Sequence, residues 1–218
     1  MKKIDIDDFY KEIGYNYKKD LEYFKTIFYY TKTGVNPSLD EHYIPDDYKK
    51  HLLIKAIAEK NKFKSYLEIG TGRGTSCYLV SLLSSIKDIY TFDIIKFDEL
   101  MNTAIGYRKV NVSNKDIYNM IPYDTKKKIN FYHIRDLNRI SKNMESVDMC
   151  NIDGEHNIYR IIMRDFKYCN SKLRDGGIMI FDDYTNDNYK VKDVVDDILK
   201  KNKFKKVYNI DNKVIIEK

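Results

Sequence analysis

The chain has 218 residues, enough for one domain plus an appendage and for a core large enough to fold alone. No apolar run approaches the roughly 20 residues that span a bilayer, and Met1-Lys2-Lys3-Ile4-Asp5 lacks the apolar core of a signal peptide, so an unexported, cytoplasmic protein without a membrane partner is expected. The formal charge of +6 comes from lysines dispersed among Asp and Glu, which argues against nucleic acid as a partner, and Cys77, Cys150 and Cys169 fall in apolar stretches that suit buried free thiols.

Residues 1–60 read as a helical extension, with apolar residues at helical spacing: Phe9, Ile13 and Tyr17, then Leu21, Phe24 and Phe28, then Leu52, Leu53 and Ile57. Turn signals at Thr33-Gly34-Val35-Asn36-Pro37-Ser38 and Pro45-Asp46-Asp47 divide it into two or three helices. Its aromatic stripes suit core packing, with homo-oligomerisation as the alternative use. From residue 61 the pattern changes to short apolar runs alternating with amphipathic segments, the rhythm of parallel βα units.

The first strand, near 65–70, runs into Gly70-Thr71-Gly72-Arg73-Gly74-Thr75-Ser76 and a helix near 74–86. Such glycines let backbone turn sharply against a ligand at the carboxyl end of a strand. A dinucleotide fingerprint would want Gly or Ala at position 75, which is Thr, and would not place Glu68 beside a pyrophosphate. Glu68 suits a cationic ligand. The second strand, near 88–93, ends in Asp93, twenty-five residues after Glu68, where a carboxylate can accept both hydroxyls of a ribose. A helix is expected near 97–105, and Asn111-Val112-Ser113-Asn114-Lys115-Asp116 reads as an irregular excursion within a long 96–127 connection, either a lid or an embellishment.

The third strand, near 128–134, leads to Asp136, a candidate acceptor for an adenine amino group or else a surface cap. A strand near 146–152 delivers Asp153-Gly154-Glu155-His156, and after a helix near 157–173 the strand at 177–181 delivers Asp182-Asp183. Asp153, Asp182 and Asp183 thus converge at adjacent strand ends, where like charges are costly without a cation. An all-oxygen set suits Mg²⁺, Ca²⁺ or Mn²⁺, the plainer alternative being helix caps. A helix near 188–201 follows. The runs 204–210 and 213–217, joined by Asp211-Asn212, are too close for a crossover and must form an antiparallel hairpin.

The stretch Leu67-Glu68-Ile69-Gly70-Thr71-Gly72-Arg73-Gly74 resembles the first motif of class I S-adenosylmethionine-dependent methyltransferases, and the resemblance extends over about residues 40–218. It implies a doubly wound, mostly parallel, seven-stranded sheet ending in an antiparallel hairpin, with Glu68, Gly70, Thr71, Gly72, Gly74, Thr75, Ser76, Asp93 and Asp136 around S-adenosylmethionine. Asp153-Gly154-Glu155-His156 resembles the metal-dependent O-methyltransferases related to the catechol, caffeoyl-CoA and macrolide-sugar enzymes, especially the branch with an Asp-Gly-x-His signature. That implies Asp153, Asp182 and Asp183 holding a cation, Mg²⁺ by preference, and His156 taking a proton from a small hydroxylated acceptor such as a sugar. The catechol enzymes carry Lys where this chain has His156 and Asn where it has Asp183. An RNA or protein methyltransferase, or a non-catalytic cofactor-binding scaffold, remains the alternative.

Overall fold

The computed structural model describes residues 1–33, 48–105 and 108–218. In chain order the elements are β1 (Lys2–Ile4), α1 (Ile6–Ile13), α2 (Leu21–Thr33), α3 (Tyr48–Lys60), β2 (Ser65–Ile69), α4 (Thr75–Ser81), β3 (Asp88–Asp93), β4 (Leu100–Ile105) and β5 (Arg108–Ser113). They continue as α5 (Asn114–Met120), α6 (Tyr123–Lys126), β6 (Ile129–His133), α7 (Leu137–Ser141), β7 (Val147–Ile152), α8 (Tyr159–Lys172), β8 (Leu173–Phe181), α9 (Val191–Lys201), β9 (Lys206–Ile210) and β10 (Lys213–Glu217). The turn signals at 34–38 and 45–47 lie outside the described residues. Among the described residues no helix is long and apolar enough to cross a membrane, and the three cysteines are buried and free.

The main sheet has the order β1-β9-β10-β8-β7-β2-β3-β6, parallel except where β10 meets β8 and β9. The doubly wound sheet and its C-terminal hairpin are as expected, but it holds eight strands rather than seven. The extra one, β1, pairs in parallel with β9 through Lys2–Tyr208 and Ile4–Ile210. Three residues, two of them exposed lysines, give too short and polar a run to stand out in a sequence. The second departure lies at 97–105, where the expected helix is replaced by the antiparallel pair β4 and β5. The residues that follow are not irregular: Ser113 and Asp116 form a reciprocal capping box that starts α5.

The direction of winding across the sheet reverses about β2. From β2 the chain winds outward to β3 and β6, then returns to place β7 on β2's other side, so a crevice opens beyond the carboxyl ends of β2 and β7. Both sheet faces are covered. One core joins α1 to α4 to the sheet through Phe24, Leu53, Ile57 and Tyr66, and the other joins α8 and α9 to it through Ile162, Phe166, Val194 and Phe181.

The extension is pinned by charge as well as by apolar packing. Lys55 of α3, only 4% exposed, pairs with Asp20 at 2.7 Å and Glu59 at 3.2 Å, and the Tyr15 hydroxyl donates to the same Asp20 carboxylate at 2.5 Å. Removing one partner of a buried pair leaves an uncompensated charge, so Lys55→Met is expected to cost about 3–5 kcal/mol, read as a lowered urea midpoint. A loss under about 1 kcal/mol would mean the network contributes little.

Candidate functional site

Beyond the central strand ends lies a cavity of about 300 Å³. Ile69, Gly70 and Gly72 form one wall, Phe92 and Asp93 with the following Ile94 and Ile95 a second, and Asp153, Gly154 and Glu155 a third. Ile134 and the α8 residues Ile161, Arg164 and Asp165 close it. Gly70 is indispensable to this arrangement: φ is +98°, and a Cβ there would lie 2.0 Å from the Asp153 carbonyl oxygen. The Asp153 amide donates to the Ile69 carbonyl at 2.8 Å and the Gly70 amide to that of Phe92 at 2.8 Å, so three strand ends are joined backbone to backbone.

Asp93 stands on the cavity wall. Its carboxylate accepts the Gly72 amide at 2.7 Å and the Ile95 amide at 2.9 Å, which fixes it against the glycine loop. Glu68 is placed differently. Only 1% exposed, it lies behind the wall and accepts the hydroxyls of Tyr66 and Thr91, both at 2.9 Å. Thr91 also contacts the Thr71 hydroxyl at 2.6 Å, so Glu68 supports the loop from beneath rather than lining the cavity. Gly74, Thr75 and Ser76 likewise fall outside the lining: Gly74 caps α4 in the left-handed conformation, and Thr75 meets the Thr31 hydroxyl of α2 at 2.7 Å. Asp136 is also off the wall, paired with Arg139 at 3.1 Å.

Asp153, His156 and Asp183 come together, with one ligand atom from each lying within 4.8 Å of the others. The His156 Nε2 is 3.9 Å from Asp153 and its Nδ1 is 3.7 Å from Asp183, while Tyr189 stacks on the ring at 5.0 Å. Asp183 adopts a positive φ of 58° and accepts from the Asn212 side chain at 3.2 Å. Burial, then repulsion from Asp182, Glu68 and Asp183, pushes the Asp153 carboxyl well above its ordinary range, although Lys213 opposes the rise. Asp182 is not in this cluster. Its carboxylate is taken by the Lys213 ammonium, only 5% exposed on β10, which against the cost of burial holds Asp182 below the ordinary carboxylate range. Sequence spacing located the acids, but not a lysine thirty-one residues after Asp182 that neutralises it.

A family model described as a methyltransferase domain matches residues 67–184, more than half of the chain. The chain belongs to this methyltransferase family. The expectation of a class I S-adenosylmethionine-dependent methyltransferase therefore stands at the level of family and fold. Among solved structures, the methyltransferase is similar to the O-methyltransferase from Bacillus cereus in complex with SAH, at 13% identity and a TM-score of 0.57, covering 98% of this chain and 97% of that one. It is also similar to the O-methyltransferase TomG from Streptomyces achromogenes, involved in tomaymycin synthesis and in complex with SAM, at 12% identity and a TM-score of 0.58, covering 91% and 89%. At such identities the likeness is one of fold. No protein of curated function matches the sequence.

Burial raises the Glu68 carboxyl to about 7, against the pull of its hydroxyl donors. Because the folded carboxyl keeps its proton to higher pH than the unfolded one, this group's contribution is fully present below about 4.5 and is lost as pH rises through 7, by about 3 kcal/mol in all. Glu68→Gln is expected to flatten that decline in urea unfolding between pH 5 and 8; an unchanged slope would place the titration elsewhere.

Proposed function

We propose that this methyltransferase uses S-adenosylmethionine to methylate a hydroxyl of a small acceptor, a sugar or glycosylated metabolite by preference. The observation that carries the reading is the double membership of Asp153, which lines the cavity beside Gly70 and also belongs to the cluster with His156 and Asp183. A donor in the cavity and an acceptor at the cluster would meet at one strand end, where positioning alone removes much of the barrier to transfer.

In this reading Asp93 accepts the ribose hydroxyls, and Gly70 and Gly72 let the loop pass close to the ligand. Bound there, S-adenosylmethionine supplies an electrophilic methyl group on a sulfonium. The acids Asp93, Asp153 and Asp183 along one edge favour that cation and disfavour a pyrophosphate. His156 takes the proton from the acceptor hydroxyl: its two nitrogens face Asp153 and Asp183, which favour the imidazolium formed, and Tyr189 holds the ring plane.

The donor chemistry also fits a divalent cation, since two carboxylates and an imidazole offer ligand atoms within 4.8 Å of one another. Asp153 and Asp183 would hold it, Mg²⁺ by preference, with His156 left beside them for the proton. A cation there lowers the pKa of an acceptor hydroxyl. Asp182, committed to Lys213, is left out of this set.

Asp93→Ala is expected to weaken S-adenosylmethionine binding by about tenfold or more, read by calorimetric titration with a nicotinamide dinucleotide as control. Unchanged affinity would remove the ribose role, and tight dinucleotide binding would remove the cofactor assignment itself. With a hydroxylated acceptor, His156→Gln is expected to lower turnover by about 10²-fold or more, and chelation is expected to suppress wild-type turnover. Rescue of His156→Gln by excess Mn²⁺ would make the imidazole a cation ligand instead of a base, and indifference to chelation would remove the cation while leaving methyl transfer in place.

A further inference from the structure

The apolar part of the cavity ends on a pair of charges for which the fold gives no reason. Ile161, Arg164 and Asp165 occupy positions i, i+3 and i+4 of α8 and so share the face turned to the cavity, while Ile162, Phe166 and Cys169 pack into the core. The Asp165 side chain is 1% exposed and that of Arg164 is half exposed. Arg164 donates through Nε at 2.8 Å and through its terminal nitrogen at 2.6 Å, both to Oδ1 of Asp165. A buried carboxylate is expensive unless paired. Its partner here is the adjacent residue of the same helix, so among the described residues the pair ties no two elements together and packing does not account for it. Burial and the nearby Glu155 raise the Asp165 carboxyl, with Arg164 opposing them. Its place also differs from that of Asp136, which lies off the cavity and is engaged by Arg139.

The same cavity is lined by Ile95, Ile134 and Ile161, apolar side chains suited to a flat base, and by Asp93, where a ribose would be held. We propose that Asp165 and Arg164 read the edge of the adenine ring, the Asp165 carboxylate accepting a hydrogen bond from the exocyclic amine and the Arg164 guanidinium donating to a ring nitrogen. This inference rests on reading the cavity as the S-adenosylmethionine site. A donor beside an acceptor is the complement of adenine; hypoxanthine turns a carbonyl oxygen toward the carboxylate instead. A site with a buried group aimed at one hydrogen-bonding pattern rejects the analogue that reverses it far more strongly than an apolar slot does.

The test is calorimetric titration of the full chain with S-adenosylhomocysteine and with S-inosylhomocysteine, which differ only at that edge. The wild type is expected to prefer the adenosyl ligand by at least about tenfold. Asp165→Asn, whose amide can donate to the inosyl carbonyl, is expected to bring the two affinities to within about threefold. Because a buried position risks misfolding, Arg164→Met serves as the second variant, expected to narrow the same ratio at a half-exposed site. Weakening of both ligands by the same factor in both variants would reveal a merely structural pair and overturn the proposal. Collapse of the ratio in Asp136→Asn instead would move base recognition to the loop after β6, with the same consequence. A wild type that binds both ligands equally refutes the base-edge role while leaving the cofactor assignment intact, and one that binds neither ligand refutes both.

Discussion

The approach of Gly70 to the Asp153 carbonyl is the contact on which the site depends, because there is no room for even one methyl group between them. Ordinary side chains would hold the ends of β2 and β7 apart, and the Asp153 amide could then not reach the Ile69 carbonyl. With those ends joined, the glycine loop, the Asp93 strand end and the Asp153 strand end face one space. The reversal of winding direction about β2 opens a crevice there, and the glycine converts it into a cavity with carboxylates on its walls.

Bringing strand ends together concentrates negative charge, and the fold answers it at three depths. At the bottom, Glu68 is buried among hydroxyls, and burial raises its carboxyl to about 7, which lessens the charge beneath the loop. At the side, Lys213 of β10 neutralises Asp182 inside the protein. At the rim, Asp153 and Asp183 are left with the His156 imidazole between them. The three acids expected to act alike thus fall into two groups, and what separates them is the antiparallel hairpin. Only a strand folded back beside β8 can carry Lys213 to Asp182.

Legibility in the sequence followed how local each feature is. The strands that form the centre of the sheet were legible because their apolar runs are bounded by glycine and aspartate, and the final hairpin because its link is too short for a crossover. At Leu100–Ile105 the sequence period favoured a helix, while the pairing partner that makes the segment a strand lies beyond it, and helical spacing within one window says nothing about a neighbour. β1 exists only because β9 offers an open edge. The same limit applies at the site. The positions of Asp93, Asp153 and Asp183 at strand ends were legible. The pairing of Asp136 with Arg139 and of Asp182 with Lys213 was not, nor the turn of Asp165 on α8 toward the cavity, because each depends on a partner or a helix face that spacing along the chain does not report.

The N-terminal helices are also closer to the chemistry than their position in the chain suggests. Arg73, between the second and third glycines of the loop, donates to the Thr31 carbonyl at the end of α2 at 3.3 Å and to the Met101 carbonyl of β4 at 3.5 Å, while Thr31 and Thr75 meet through their hydroxyls. From the other side, the Asn114 amide at the start of α5 donates to the Gly72 carbonyl at 3.0 Å. A loop rich in glycine has much conformational entropy to lose on ordering. Here the extension, the β4–β5 segment and the start of α5 supply the contacts that restrict it, so segments distant in the chain hold the glycine loop in its shape.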